Sequence, residues 1–286
     1  MNRFDHIAII FNPGSTGDAP TIAQKLSGDI PKSVLVPTQH AGHAIELAKD
    51  VALKYDHPLI ISVSGDGGYN EVINGAMQAK QQLKTASPIV AVAAAGNAND
   101  HRRVTRDAPL ATLIKRGETK SMDLLHFKSA HYTGYAHSYI GLGVTPEVGN
   151  ELNKHGKGLL SEIKLITKTF FRYKPFVIVK DGSSFTLNNL IFANINEMAK
   201  IIQLDDNNDI QDGRFEVILL PHHNKGHMLF TLLKIAIRGY KKPESVSSWS
   251  FTLNEPSPVQ FDGEIQQIKS GDITVTSVHK AIESVF

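Results

Sequence analysis

The sequence predicts an α/β domain with a parallel sheet over residues 1–125 and an all-β domain over 126–276. Two observations carry that expectation. Before residue 125, short apolar runs alternate with amphipathic helical stretches four times over about 100 residues, as βα units do. Beyond it, short strand-like runs follow closely, and Asp-Gly pairs recur at 181, 212 and 262, the punctuation of antiparallel hairpins.

In the first half, Ile7–Phe11 reads as a strand buried on both faces and ends in Asn12-Pro13-Gly14-Ser15-Thr16-Gly17. A short helix over Thr21–Leu26 and a strand over Ser33–Pro37 follow. Thr38 and Ala41-Gly42-His43-Ala44 then open a helix over Ala44–Leu53. Leu59–Val63, unbroken by charge, is the next strand. It runs into Ser64-Gly65-Asp66-Gly67-Gly68 and then a helix that starts at Asn70 and Glu71, with Val72, Ile73, Ala76 and Met77 on one face. Ile89–Ala95 is a further strand and breaks at Gly96-Asn97-Ala98-Asn99-Asp100. A strand, a tight glycine turn and a helix N-terminus together form a cradle of N–H groups suited to phosphate. A lone Gly-Asp-Gly serves a plain βα turn equally well. Asp66 would repel bare phosphate, which points to Mg²⁺ or a polar group between them. The stretch matches neither the P-loop nor the dinucleotide fingerprint. Asn12–Gly17, Thr38, Gly65–Gly68 and Gly96–Asn99 would share the carboxyl edge of a parallel sheet, where such folds bind ligands.

His101-Arg102-Arg103 reads as a solvated or phosphate-facing helix start, and Leu110, Leu113 and Ile114 as a short helix closed by Gly117. Strands are expected over Tyr139–Val144, Phe176–Val179, Ser184–Leu187, Leu190–Ile195, Phe215–Leu220, Ser250–Leu253 and Pro258–Phe261. Two helices interrupt them, a lysine-rimmed one over Leu159–Arg172 and an apolar one over His227–Arg238. Ile273–Phe286 is apolar enough to rejoin a sheet, with residues from about 277 to 286 expected back in the first domain.

With 41% hydrophobic and 20% charged residues, the chain of 286 is ordinary for a globular protein. A net charge of +2 without a clustered basic patch gives no case for nucleic acid. The absence of cysteine excludes disulfides, a thiol nucleophile and cysteine-ligated zinc. His40, His43, His222 and His223 read as surface or capping residues rather than metal ligands. The first residues lack a signal-peptide pattern, and no apolar run is long enough for a membrane span, so a soluble cytoplasmic protein is expected.

Asn12-Pro13-Gly14-Ser15, the run Ser64–Gly75 (SGDGGYNEVING), Gly96–Asp100 (GNAND) and Phe261-Asp262-Gly263-Glu264 resemble, in order and spacing, the diacylglycerol kinase catalytic family. The likeness is to its soluble bacterial lipid kinases, related to sphingosine and ceramide kinases. The resemblance implies a phosphofructokinase-like nucleotide domain, a β-sandwich domain, and transfer of phosphate from ATP to a lipid hydroxyl with Mg²⁺. It implies nucleotide contacts at Asn12, Pro13, Gly14, Ser15, Thr16, Thr38, Ser64, Gly65, Asp66, Gly67, Gly68, Tyr69, Asn70, Glu71, Gly96, Asn97 and Asn99. Asp123 resembles an acidic residue that faces the site. Asp212, with the main chain of Asp209 and Arg214, matches a loop holding a structural Mg²⁺, and Asp66 or Asp123 would help hold the catalytic one. Asp262 and Glu264 match the catalytic carboxylates, either of which could take the hydroxyl proton, although Asp-Gly is equally a favoured hairpin turn. Where the common pattern has glycine, threonine and threonine, this chain has Ser64, Gly68 and Asn97, so two hydroxyls are absent from their usual places. The resemblance further implies peripheral contact with the inner membrane face and admits a homodimer. An NAD kinase-like enzyme and a non-catalytic nucleotide or lipid sensor are the alternatives.

Overall fold

The apolar runs around Ile9, Ile61 and Ala91 become strands because each can bury both faces between helices, whereas Ser33–Pro37 is an edge strand that leaves Val34 and Leu35 exposed. The computed structural model describes residues 3–15, 18–95, 101, 105, 108–146, 174–195, 197–198, 202–203, 210–223, 240 and 243–286. Among them the chain divides into two compact units, Met1–Leu124 with His279–Phe286, and Leu125–Val278.

The first unit runs β1 (His6–Phe11), α1 (Ala19–Asp29), β2 (Ser33–Pro37), α2 (His43–Lys54), β3 (Pro58–Ser64), α3 (Asp66–Gln82), β4 (Ile89–Ala94) and α4 (Leu110–Arg116). The strands are parallel in the order β2-β1-β3-β4. Phe11 pairs with both Pro37 and Val63, and Ser64 with Ala94, so the carboxyl ends of all four strands lie side by side. Leu59, Ile60, Ile61 and Val63 are wholly buried, as the uncharged run requires. The core combines this sheet with Ala19, Ala23 and Leu26 of α1 and Leu110, Leu113 and Ile114 of α4. Small residues let α2 lie close against α3: a Cβ on Gly75 would sit 2.2 Å from the Ile45 carbonyl oxygen.

The helices are longer than the sequence predicts, and the difference matters most at α3. It begins at Asp66 rather than at Asn70, which places Gly67 and Gly68 inside the first helical turn. Neither has a positive φ, so a left-handed turn is not what calls for glycine there. His101 also departs from expectation. It is buried, tilted against Tyr69 at 5.4 Å and edge-on to Phe286 at 5.8 Å, so apolar packing outweighs its polarity.

β5 (Lys120–Ser129) carries the chain into the second unit, and its strands are antiparallel. They are β6 (Thr133–Ala136), β7 (Tyr139–Gly143), β8 (Phe176–Lys180), β9 (Ser183–Ala193), β10 (Glu197–Met198), β11 (Ile202–Gln203), β12 (Phe215–Pro221), β13 (Glu244–Val246), β14 (Ser248–Leu253), β15 (Ser257–Phe261), β16 (Glu264–Ile268) and β17 (Gly271–Ser284). β17 ends in the first unit, where Glu283 and Ser284 pair in parallel with Ile89 and Val90 of β4. Two strands expected on either side of Asn188-Asn189 are one. β9 pairs with β8 through Leu187, then with β7 and β12 from Asn189 onward. The Asn189 carboxamide is not a turn former here, since it exchanges hydrogen bonds with Thr145 Oγ1 at 3.0 and 2.8 Å. Phe127, Phe192, Phe215, Trp249, Phe251 and Phe261 dominate the core of this unit. The expected helices over Leu159–Arg172 and His227–Arg238 lie outside the described residues.

Candidate active site

β3 gives way to α3 across a single residue, Gly65, at the edge where β1 and β2 also end. The first-turn N–H groups of α3 therefore face the same edge as Asn12–Ser15 and Thr38. The Asn12 side chain folds the first loop on itself. Its Oδ1 accepts the Gly14 N–H at 2.9 Å while its carbonyl accepts the Ser15 N–H at 3.3 Å. Thr38 is tied to the end of β1 by its N–H to the Phe11 carbonyl at 2.9 Å. Glu71 reaches from α3 to the start of α2, where it accepts the Gly42 N–H at 3.3 Å. Asp66, the first residue of α3, is half-buried and accepts the His101 N–H at 3.4 Å.

Ser64 and Gly68 form one steric unit, invisible in the sequence. A Cβ at 68 would lie 2.6 Å from Ser64 Cβ and 2.7 Å from its Oγ. The Ser64 hydroxyl is held between Ser62 Oγ at 2.7 Å and the Gly65 carbonyl at 2.9 Å. The turn thus carries its hydroxyl at the strand end rather than in the helix, and a side chain at both positions does not fit. Two residues expected at the nucleotide have buried side chains. Tyr69 is wholly buried, with its hydroxyl 3.0 Å from Ser284 Oγ, and Asn70 is buried with its Oδ1 accepting from Asn74 at 3.0 Å. The early helix start turns both inward. Thr16, Gly96, Asn97 and Asn99 lie outside the described residues.

Asp123 is wholly buried in β5, and its Oδ1 accepts the Lys280 N–H at 2.6 Å and lies 3.1 Å from His279 Nδ1. It ties β5 to β17 across 157 residues of sequence.

In the second unit, the two carboxylates next to Gly263 have opposite surroundings. Asp262 and Gly263 join β15 to β16 as a two-residue turn with φ of 49° and 106°, both left-handed as primed hairpins demand. Asp262 is wholly buried. Its Oδ2 accepts the His137 N–H at 2.7 Å, and its Oδ1 accepts those of Ser138 and Tyr139, both at 2.9 Å. The carboxylate thereby satisfies three successive backbone donors between β6 and β7. Glu264, at the start of β16, is exposed. An extended chain would place the two carboxylates on one side; the turn separates them instead. Nothing near Asp262 in sequence announces its partners, which lie 123 to 125 residues away.

At the other expected metal loop, Asp212 is exposed and accepts the Arg214 N–H at 2.8 Å, while the Arg214 guanidinium holds the Ser245 hydroxyl at 3.1 Å and the Ser245 carbonyl. Asp209 lies outside the described residues. His40, His43 and Glu46 come close enough to share an ion, but His43 Nδ1 accepts the Gln39 N–H at 3.0 Å. That bond places the ring hydrogen of neutral His43 on Nε2 and makes it a donor, in keeping with a capping role.

Comparison with known proteins adds the rest. Residues 6–127 match the family model of the diacylglycerol kinase catalytic domain. A protein named diacylglycerol kinase from Staphylococcus carnosus is 26% identical over 90% of this chain and 87% of its own length. One of the same name from Bacillus subtilis is 24% identical over 82% of this chain and 80% of its own. A crystal structure of a diacylglycerol kinase from Bacillus anthracis superposes with a TM-score of 0.73 at 19% identity, covering 100% of this chain and 98% of that one, a likeness of fold. The chain is thus similar to diacylglycerol kinases, through residues 6–127 to their catalytic domain and over most of its length to the bacterial proteins of that name.

Proposed function

We propose that the protein is an ATP-dependent lipid kinase that moves the γ-phosphate of ATP to a lipid hydroxyl such as that of diacylglycerol. The observation supporting it most is the glycine turn at the start of α3, set at the sheet edge where β1 and β2 also end. Positioning and charge neutralisation supply most of what phosphoryl transfer needs, and this edge offers the positioning. In this reading the first unit is the phosphofructokinase-like nucleotide domain and the second a β-sandwich that receives the lipid at a membrane surface. Asn12–Ser15, Thr38, Ser64–Gly68 and Glu71 line or brace the nucleotide, as would Thr16, Gly96, Asn97 and Asn99.

Mg²⁺, when bound, neutralises the phosphate oxygens at which charge builds up. The half-buried Asp66 carboxylate, a hard oxygen donor at the turn, fits that ion. Asp212, exposed at its own turn, would supply one such oxygen for a structural ion. Asp123, its carboxylate on the Lys280 N–H, braces β5 against β17.

The second-unit carboxylates divide the remaining work. Glu264 is the general base, because it alone of the pair is exposed to an incoming hydroxyl. Asp262 is a positioning residue that fixes the hairpin carrying Glu264.

Incubation with radiolabelled ATP, Mg²⁺ and a total lipid extract tests the reading. A labelled lipid whose formation falls 10²–10⁴-fold in Glu264→Gln, with ATP binding retained, is expected. In a parallel incubation supplied with NAD, labelled NADP without labelled lipid would overturn the acceptor class. ATP binding without turnover on any lipid would overturn the enzyme reading.

A further inference from the structure

The first unit has a polar pocket at the other end of the parallel strands from the glycine turn. It has a volume of about 440 Å³ and is lined by Arg3, His57, Lys80, Ser121, Lys280 and Glu283, among others. His57 directly precedes β3 and Ser121 follows the start of β5, while Lys80 sits in the last turn of α3. β3 has seven residues, so the pocket and the glycine turn are about 20 Å apart.

The charges lining it are unbalanced and held in place. Arg3 donates to the Gly117 carbonyl and to Glu283 Oε2, both at 2.9 Å, and Thr119 donates to the same carboxylate oxygen at 2.8 Å. Glu283 is thus already neutralised by Arg3, which leaves Lys80 and Lys280. Lys80 is half-buried and donates one N–H to the Ala281 carbonyl, leaving two hydrogens for another acceptor. Burial pulls its pKa below the usual lysine value, with Glu283 opposing, so its charge is costly as it stands. Lys280 has a left-handed φ of 49°, which its side chain disfavours, and its N–H is pinned by buried Asp123 at 2.6 Å. Two lysines and an arginine against a single carboxylate, on a polar pocket that also carries serine hydroxyls, suit a doubly charged oxyanion.

We propose that this pocket binds a phosphate dianion, either free or as the phosphomonoester headgroup of a lipid, as a ligand separate from the transferred phosphate. Lys80 and Lys280 would contact it by charge-assisted hydrogen bonds, and Arg3 would hold Glu283 away from it.

Calorimetric titration of the whole protein with inorganic phosphate is the test, run on wild type, Lys280→Gln, Lys80→Met and Gly67→Val. A single saturable site is expected, weakened about tenfold or more by each lysine substitution and retained in Gly67→Val. Lys280 is exposed, so its substitution keeps the fold should Lys80→Met not. A parallel arm follows sedimentation with neutral vesicles with and without a phosphomonoester lipid. Lysine-dependent sedimentation alone assigns a headgroup, and lysine-dependent titration alone assigns free phosphate. Binding that survives Lys280→Gln but is lost in Gly67→Val would place the phosphate at the glycine turn and overturn the proposal. Absence of binding in both arms would overturn it equally.

Discussion

Ser64 and Gly68 should behave as one unit, and a double-mutant cycle can measure how strongly. In Gly68→Ala the new Cβ would stand 2.6 Å from Ser64 Cβ, whereas carbon atoms in contact sit about 3.5–4.0 Å apart. About 1 Å of relief is needed. Ser64 cannot supply it by a side-chain rotation, because its Cβ belongs to the strand. Overpacking of this kind costs about 1–3 kcal/mol, against a gain of up to about 1 kcal/mol for alanine over glycine in a helix. The single variant should therefore lose about 1–2 kcal/mol. Ser64→Gly removes the obstructing Cβ, and in that background Gly68→Ala should be neutral or slightly stabilising. The coupling energy expected is about 2 kcal/mol, well above the few tenths typical of independent sites. Urea unfolding of the four proteins at one pH reads it directly. Equal effects of Gly68→Ala in both backgrounds would refute the steric link. With Ser64→Gly/Gly68→Thr, which returns the hydroxyl to the helix, ATP affinity should be retained, whereas Gly68→Thr alone should weaken it.

Asp262→Asn should lower stability by about 3 kcal/mol, since the amide turns one acceptor towards buried backbone donors into a further donor, while Glu264→Gln should leave the urea midpoint unchanged. Gly75→Ala should cost about 3 kcal/mol in the same assay, because the Ile45 carbonyl 2.2 Å from the new Cβ is backbone and can yield only if α2 moves. Tyr132 has its pKa raised by burial to about 12. The folded state then holds its phenol proton above pH 10 where the unfolded chain loses it, so the stability this contributes is fully present below pH 10 and is lost as pH rises towards 12. Burial raises the Tyr240 pKa as well, so absorbance titration at alkaline pH should show a late-ionising phase that Tyr132→Phe reduces rather than removes.

Local features were legible wherever one stretch of chain carried its own cause. The run Leu59–Val63 could only be a strand buried on both faces, and it is. The Asp-Gly pairs at 181 and 262 are hairpin turns because residues that tolerate positive φ were already adjacent. Where helix α3 starts was not legible, because Gly67 and Gly68 read as loop residues, and only the fold shows Ser64 occupying the space beside Gly68. Asn188-Asn189 looked like a break for a similar reason, since the partner that makes Asn189 a strand residue is Thr145, 44 positions away. The roles within the site depended most on tertiary structure. Asp262 and Glu264 are two residues apart and alike in chemistry, and the sequence marks both as carboxylates suited to catalysis. Only folding brings the N–H groups of His137, Ser138 and Tyr139 onto one of them and leaves the other exposed. A sequence specifies which groups can accept a proton or a hydrogen bond; which acceptors are already taken depends on donors more than a hundred residues away.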